Sequence, residues 1–251
     1  MREIIQNEHT ITLKVASFDT DRLDRMRLSA VLRYQQEVGE RHLGPAGLGW
    51  RDLSDHGIAF VASRWHASIR RLPQLDEEVT LTTWHRNRKG PRFFRCYEWR
   101  DGDGNLLIEG VMQFALVSVT DHRLLRGDEF MALAPLPDAT RDVGCADPSR
   151  FRLTEEIDLG TYPVRWSDID RNGHMNNTRY MDWVDDLLPS EFHREHPTQE
   201  FTVCYLNEAR EGQELQLHWD FPEDRCLQVD AHRPKAEGDG SERVFTARLV
   251  F

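Results

Sequence analysis

Asp170, Asn172 and His174 set a carboxylate, an amide and an imidazole at alternate positions inside the stretch Trp166 to Trp183. Side chains two apart in an extended segment share a face, so these three are expected to converge on one reacting atom. Such a set suits proton transfer at a carbonyl. A helix is expected directly after it, because Tyr180, Trp183, Val184, Leu187 and Leu188 recur at helical spacing and form one apolar stripe. Asn176 or Asn177 can cap that helix, and Pro189 fits its end. Backbone N–H groups near Asn176 and Asn177, with the helix dipole behind them, favour negative charge and would receive an oxyanion. Taken singly, His174 reads as a turn-stabilising histidine; Asp170 and Asn172 beside it turn the reading toward catalysis. Asn176 and Asn177 read as caps before reactants, and Asp168 as a structural acid outside the set.

A fourth polar group is Glu208. In Phe201 to Glu208 the strand period puts it on the face of Cys204 and Leu206, where the end of an apolar face would partly desolvate a carboxylate and suit it as a general base. On spacing alone, a solvated charge beside Arg210 and Glu211 is an equal reading.

The elements that must position these groups follow one pattern twice. Leu28, Val31, Leu32, Gln35 and Val38 have helical spacing, ending near Gly39 or Gly44-Pro45. Strands are expected over 59–67, 78–84, 92–99 and 106–119, with a hairpin turn at Asp101 to Asn105. In the second half a helix over 177–188 precedes strands over 200–206, 214–221, 226–232 and 243–251. The fold class is therefore α+β, as two tandem copies of a long helix wrapped by an antiparallel sheet. The first copy spans 1–135, a Pro-rich charged linker 136–155, and the second copy 156–251. Laying Phe18 on Trp166 sets Arg22, Asp24 and Met26 opposite Asp170, Asn172 and His174, so the first copy lacks the imidazole. Its helix residues Leu28, Val31, Leu32 and Val38 read as core, or as lining for a pocket.

These residues also carry a resemblance. The pattern D-x-N-x-H-x-N-N-x-x-Y at Asp170 to Tyr180 is similar to the signature of the acyl-acyl carrier protein (acyl-ACP) thioesterases, enzymes built from two hotdog domains. Arg27-Leu28, Leu32, Gln35-Gln36-Glu37, His42, Trp65, Pro73, Thr83-Trp84 and the Arg95 to Trp99 strand follow in the order such enzymes show, and the likeness covers about Phe18 to Glu211. It implies hydrolysis of the acyl-ACP thioester to a free fatty acid in fatty acid biosynthesis, with no cofactor. The resemblance also puts a catalytic carboxylate at Glu208, and the first copy, lacking the imidazole, is left free to shape an acyl pocket. An adjoining position that often holds a Cys in the family is Ala209 here, so water is expected to attack. Glu208 or Asp170 would activate it, with His174 as intermediary, and Asn172 would orient the water or hold the acyl carbonyl. A hotdog acyl-CoA thioesterase and a non-catalytic acyl-binding or dehydratase-like module are the alternatives.

Composition narrows the classes. The chain has 251 residues, 39% hydrophobic and 10% aromatic, which is globular. No run approaches the roughly 18 apolar residues of a membrane span, and no signal or transit segment is read. Cys96, Cys145, Cys204 and Cys226 lack any framework spacing, so reduced thiols in a cytoplasm are expected. A formal charge of -11 argues against nucleic acid. His193 and His196 precede Pro197 without a third ligand, and Asp101 to Asn105 lacks the closing Glu of a calcium loop, so no metal is expected. No Gly-x-Ser-x-Gly elbow or phosphate loop occurs.

The implied carrier is acidic and the chain is acidic too. A local basic cluster, Arg86, Arg88, Lys89, Arg92 and Arg95, is the candidate docking surface; an ordinary solvated hairpin is the equal reading. A homodimer is compatible with the sequence.

Overall fold

The computed structural model describes residues 4–137, 139–235 and 239–251, and two compact units divide at Asp147/Pro148. Met1 to Glu3, Asp138 and 236–238 lie outside the described residues.

The first unit carries strands β1 (His9–Lys14), β2 (Ile58–Ile69), β3 (Glu78–Lys89), β4 (Arg92–Asp101) and β5 (Leu106–Ser118), with helix α1 (Leu28–Leu43) between β1 and β2. Its sheet runs β1-β3-β4-β5-β2, antiparallel at every step. Helix α1 buries Leu28, Val31, Leu32, Gln35, Val38 and His42, the expected stripe continued through Gly39 to the Gly44-Pro45 stop. Each fully buried Leu or Val on it contributes about 1.5–3 kcal/mol of transfer free energy. Short helices α2 (Trp50–Asp55) and α3 (Gly127–Leu133) complete the unit.

The second unit repeats the scheme. Strands β6 (Ile157–Pro163), β7 (Glu200–Tyr205), β8 (Glu214–Glu223), β9 (Cys226–Pro234) and β10 (Ser241–Val250) run β6-β8-β9-β10-β7, again antiparallel throughout. Numbered within each unit, both sheets have the order first, third, fourth, fifth, second. Each unit is a hotdog, with the helix lying between its first and second strands in sequence. The second helix is shorter than its apolar stripe: α4 (Arg179–Asp186) ends before Pro189, and α5 (Ser190–Glu195) follows. Tyr180, Met181, Trp183 and Val184 are buried, with the Tyr180 ring 4.4 Å from that of Phe245.

Strands β1 and β6 escape the sequence reading because neither has a buried face: β1 alternates half-buried with exposed positions and β6 is mostly exposed. The stretch read as a linker is packed instead of bare. Trp84 Nε1 donates to the Arg141 carbonyl at 2.9 Å, and the Arg141 guanidinium sits 4.1 Å from the Trp84 ring centre. Gly144 N–H donates to Glu109 at 2.7 Å, while Thr154 and Glu155 N–H groups donate to Asp220 at 2.8 and 3.0 Å. Residues up to Asp147 therefore belong with the first unit and those from Pro148 with the second. Among the described residues, no helix is long and apolar enough to cross a membrane.

Candidate active site

Asp170 to His174 is a closed turn, not the extended segment that their alternation suggested. Ile169 and Met175 form a bridge, Asp170 N–H donates to the His174 carbonyl at 2.9 Å, and Gly173 N–H donates to the Asp170 carbonyl at 3.0 Å. Gly173 has φ +78°, a conformation a side chain would strain. Asp170 spends its carboxylate inside the turn: Oδ1 accepts from Asn172 N–H at 2.8 Å, and Oδ2 faces the Asn172 amide at 3.4 Å. The turn sets Asp170 against Asn172 and leaves His174 to another partner.

That partner is Glu208. His174 Nε2 lies 2.9 Å from Glu208 Oε2, with the side chains 25% and 41% exposed. Met175 N–H donates to the Ala209 carbonyl at 2.7 Å, tying the turn to the segment after β7. Arg233 donates to the Glu208 carbonyl, and Arg210 Nη2 stands 3.6 Å from its carboxylate. Strand β7 ends at Tyr205, so Glu208 lies in the following loop and not on the Cys204 and Leu206 face. At 41% exposure it is also not the desolvated carboxylate that the strand period implied.

The helix start is held by its own side chains. The Asn176 amide oxygen accepts from Thr178 N–H at 2.9 Å and Thr178 Oγ1 at 2.8 Å. Asn176 N–H donates to the Asp168 carbonyl at 2.8 Å, which removes it as an oxyanion donor. Asn177 N–H has no acceptor among the described residues, while its carbonyl accepts from Tyr205 OH at 2.9 Å. Burial pushes Tyr205 and Tyr180 well above the ordinary phenol range, so both stay protonated. Asp168 is the buried structural acid of the site: it accepts from Arg165 N–H at 2.9 Å and faces the Arg179 guanidinium at 3.3 Å. Arg210, Arg233 and Tyr205 went unread as site residues, since nothing local in the sequence ties them to the turn.

The first unit holds the same turn with different side chains. Asp21 Oδ1 accepts from Leu23 N–H at 2.7 Å, Asp21 N–H donates to the Arg25 carbonyl at 2.8 Å, and Met26 N–H donates to the Pro73 carbonyl at 2.8 Å. Asp24, at φ +59°, stands where Gly173 does. This hydrogen-bond register is one residue off the alignment by Phe18 and Trp166: Asp21, Leu23 and Arg25, not Arg22, Asp24 and Met26, answer to Asp170, Asn172 and His174. Leu72, before the anchoring Pro73 carbonyl, answers to Glu208. The imidazole and its carboxylate partner are both absent from the first turn. Leu28, Val31, Leu32 and Val38 lie in that unit's core.

The basic cluster is largely neutralised. Arg95 is buried, donating to His42 Nδ1 at 2.9 Å and Thr83 Oγ1 at 3.3 Å, so it cannot meet a partner and leaves the docking set. Arg86 pairs with Asp142 at 3.3 Å and with Asp147, Lys89 with Asp147 at 3.5 Å, and Arg88 with Asp128 at 2.8 Å. Arg92 is exposed.

All four cysteines are free. Burial pushes the Cys96 and Cys145 thiols up to about 12, far from a reactive thiolate. A further cluster, His218, Asp230 and His232, brings three possible ligand atoms within 4.8 Å of one another on the sheet of the second unit. Arg243 Nε stands 3.1 Å from the fully buried Asp230 carboxylate and already supplies the opposing charge.

The profile of the acyl-ACP thioesterase N-terminal domain matches residues 6–133, and that of the C-terminal domain residues 152–246. The chain belongs to the acyl-ACP thioesterase family. Among relatives of this family, it is 24% identical to dodecanoyl-[acyl-carrier-protein] hydrolase of Cinnamomum camphora over 82% of this chain and 57% of that one. The chain spans about half the length of the curated relatives it matches. The fold is that of an acyl-ACP thioesterase from Bacteroides thetaiotaomicron, at a TM-score of 0.88, 22% identity and 98% coverage of both chains. The 12:0-ACP thioesterase of Umbellularia californica follows at 0.80 and 20% identity, over 99% of this chain and 98% of that one.

Proposed function

We propose that this chain hydrolyses the thioester of an acyl-ACP, releasing a free fatty acid in fatty acid biosynthesis, at the His174 and Glu208 pair. The observation that carries the reading is the 2.9 Å contact between His174 Nε2 and Glu208 Oε2 beside a helix start, in a chain of this family. Glu208 orients His174, and the pair takes a proton from water as its oxygen bonds to the thioester carbon. The resulting oxyanion is received by Asn177 N–H and the start of α4. The C–S bond then breaks, and the proton held by the pair goes to the departing thiolate, whose pKa near that of free Cys (about 8.5) makes it a good leaving group. Asp170 and Asn172 act one step back, by building the turn that presents His174.

The first unit has Arg25 and Leu72 at the places that His174 and Glu208 take in the second; its role in this reading is to shape the acyl pocket. A cytoplasmic location is supported by four free cysteines. The test is a panel of matched acyl-ACP and acyl-CoA substrates. Faster turnover of acyl-ACP supports the reading, faster turnover of acyl-CoA favours the coenzyme thioester, and no turnover of either rejects a thioesterase.

A further inference from the structure

Asp230 and His232 sit two apart on β9 and share a face of the second unit's sheet, and His218 on β8 stands directly opposite Asp230. Asp230 pairs across to Thr246 of β10, and the next residue, Phe245, meets Tyr180 of α4. Strand alternation therefore puts the three residues on the side of the sheet away from that helix. No local motif announces the set, because its third member comes from a neighbouring strand.

The Asp230 carboxylate is fully buried. His218 Nδ1 lies 3.3 Å from its Oδ1 and His232 Nε2 lies 3.2 Å from its Oδ2, with three ligand atoms within 4.8 Å of one another. Arg243 Nε stands 3.1 Å from Oδ2. None of these approaches has hydrogen-bond geometry: the two imidazole nitrogens, both carboxylate oxygens and Arg243 Nε are buried without a hydrogen-bond partner among the described residues. A buried carboxylate left without hydrogen bonds is costly, and native structures rarely leave one so without a reason. Ligand atoms that share one tetrahedral Zn²⁺ at about 2.0–2.2 Å are spaced by roughly 3.3–3.5 Å, close to the separations of the two imidazoles from the carboxylate.

The groups behind the ligands fit the same reading. His232 Nδ1 faces Ser241 Oγ at 3.4 Å, which leaves Nε2 as the ligand atom, and Arg243 steadies the Oδ2 end of the carboxylate. His232 and Arg243 also line a cavity of about 720 Å³, which gives an ion a path in. Charge alone would not draw a cation there. Arg243 already balances Asp230, and Arg150 and Arg152 line the same cavity. Affinity must come from bonds to two neutral imidazoles and one carboxylate, a set that suits Zn²⁺ and not Mg²⁺ or Ca²⁺, whose ligands are oxygens.

We infer that His218, Asp230 and His232 form a Zn²⁺ site that clasps β8 to β9. Its role is structural, and it takes no part in the chemistry of the His174 and Glu208 pair.

The test uses the full chain stripped of metal by a chelator and dialysed. Zn²⁺, Mg²⁺ and Ca²⁺ are titrated separately by calorimetry, melting temperature is followed with each ion, and bound metal is counted by elemental analysis after gel filtration. The expected result is one Zn²⁺ per chain with a Kd below about 1 μM. At a hundredfold excess over that Kd, the melting temperature should rise by roughly 5–10 °C, with no rise in Mg²⁺ or Ca²⁺. His218→Gln and His232→Gln each remove one ligand and should weaken binding by about 100-fold or more, and Ser241→Ala by about tenfold. The double variant His193→Gln/His196→Gln, which removes the other closely spaced histidines, should bind as the wild type does. No Zn²⁺ uptake by the folded wild type overturns the inference, whatever the variants do. So does uptake that survives in both His218→Gln and His232→Gln, is lost with His193 and His196, or is matched by Mg²⁺ or Ca²⁺. Bound metal and melting temperature are read without any thioester, so failure of this site and failure of the hydrolysis are separate results.

Discussion

His174 Nε2 faces Glu208 Oε2 at 2.9 Å, although the two residues come from a turn before α4 and a loop after β7. One backbone bond, Met175 N–H to the Ala209 carbonyl at 2.7 Å, sets this meeting. The equivalent bond in the first unit, Met26 N–H to the Pro73 carbonyl, brings Arg25 and Leu72 to the same places and yields no acid–base pair. The same backbone turn is built twice with different side chains.

Asp170 tests the distinction between reacting and positioning groups. Asp170→Ala removes the acceptor for Asn172 N–H and should lower kcat by releasing the turn. Asp170→Asn keeps an oxygen at that place and should retain most of the activity. Equal losses of two or more orders of magnitude in both variants would mean that the Asp170 charge itself takes part in the reaction.

The thiols should be bystanders. Replacing Cys96, Cys145, Cys204 and Cys226 together by Ser or Ala should leave kcat within a few-fold of wild type, with a packing cost at buried Cys204. Mass spectrometry of a quenched reaction should find no acyl-thiol adduct. An acylated cysteine in that spectrum would replace water with a covalent nucleophile.

Stability should fall on acidification because of two histidines. His42 donates Nε2–H to the Gln6 carbonyl at 2.8 Å and accepts from Arg95 on Nδ1 at 2.9 Å, so it folds neutral. Burial, then Arg95, holds His42 and His85 down at about 4. Unfolded, both would titrate near 6.5. The unfolded chain therefore binds more protons between these values, and the stabilisation present above about pH 6.5 is lost as pH falls toward 4. Urea midpoints should drop over that window in the wild type and less steeply in His42→Gln. Parallel profiles would remove His42 from the acid response.

The basic hairpin should prove inert toward a carrier. Arg88→Glu with Lys89→Glu breaks exposed pairs to Asp128 and Asp147, worth about 0–1 kcal/mol each, and should leave KM for acyl-ACP near wild type. A severalfold rise confined to acyl-ACP, absent with acyl-pantetheine, would restore this hairpin as the docking surface.

The sequence made the double helix-plus-sheet order legible because α1 and α4 carry apolar stripes and the inner strands bury one or both faces. It hid β1 and β6, because β1 alternates only between half-buried and exposed positions and β6 is mostly exposed, so neither has the buried face of the inner strands. His174 and Glu208 were both readable as candidates, but for reasons that the geometry replaces. The turn is closed by Asp170 and Gly173, and Glu208 has left its strand. Which partner each polar group takes depends on long-range backbone bonds, and those have no local signature. The same limit explains Arg95: a cation among other cations in sequence lies buried against His42 in the fold.

The central claim is tested most directly by the rate of free fatty acid release from acyl-ACP by the wild-type chain and by Glu208→Gln and His174→Asn. The account predicts turnover by the wild type, a kcat lower by about two to four orders of magnitude in each variant with melting temperature preserved, and a double variant no worse than the weaker single one. Wild-type turnover in either folded variant, or no release by the wild type, would contradict it.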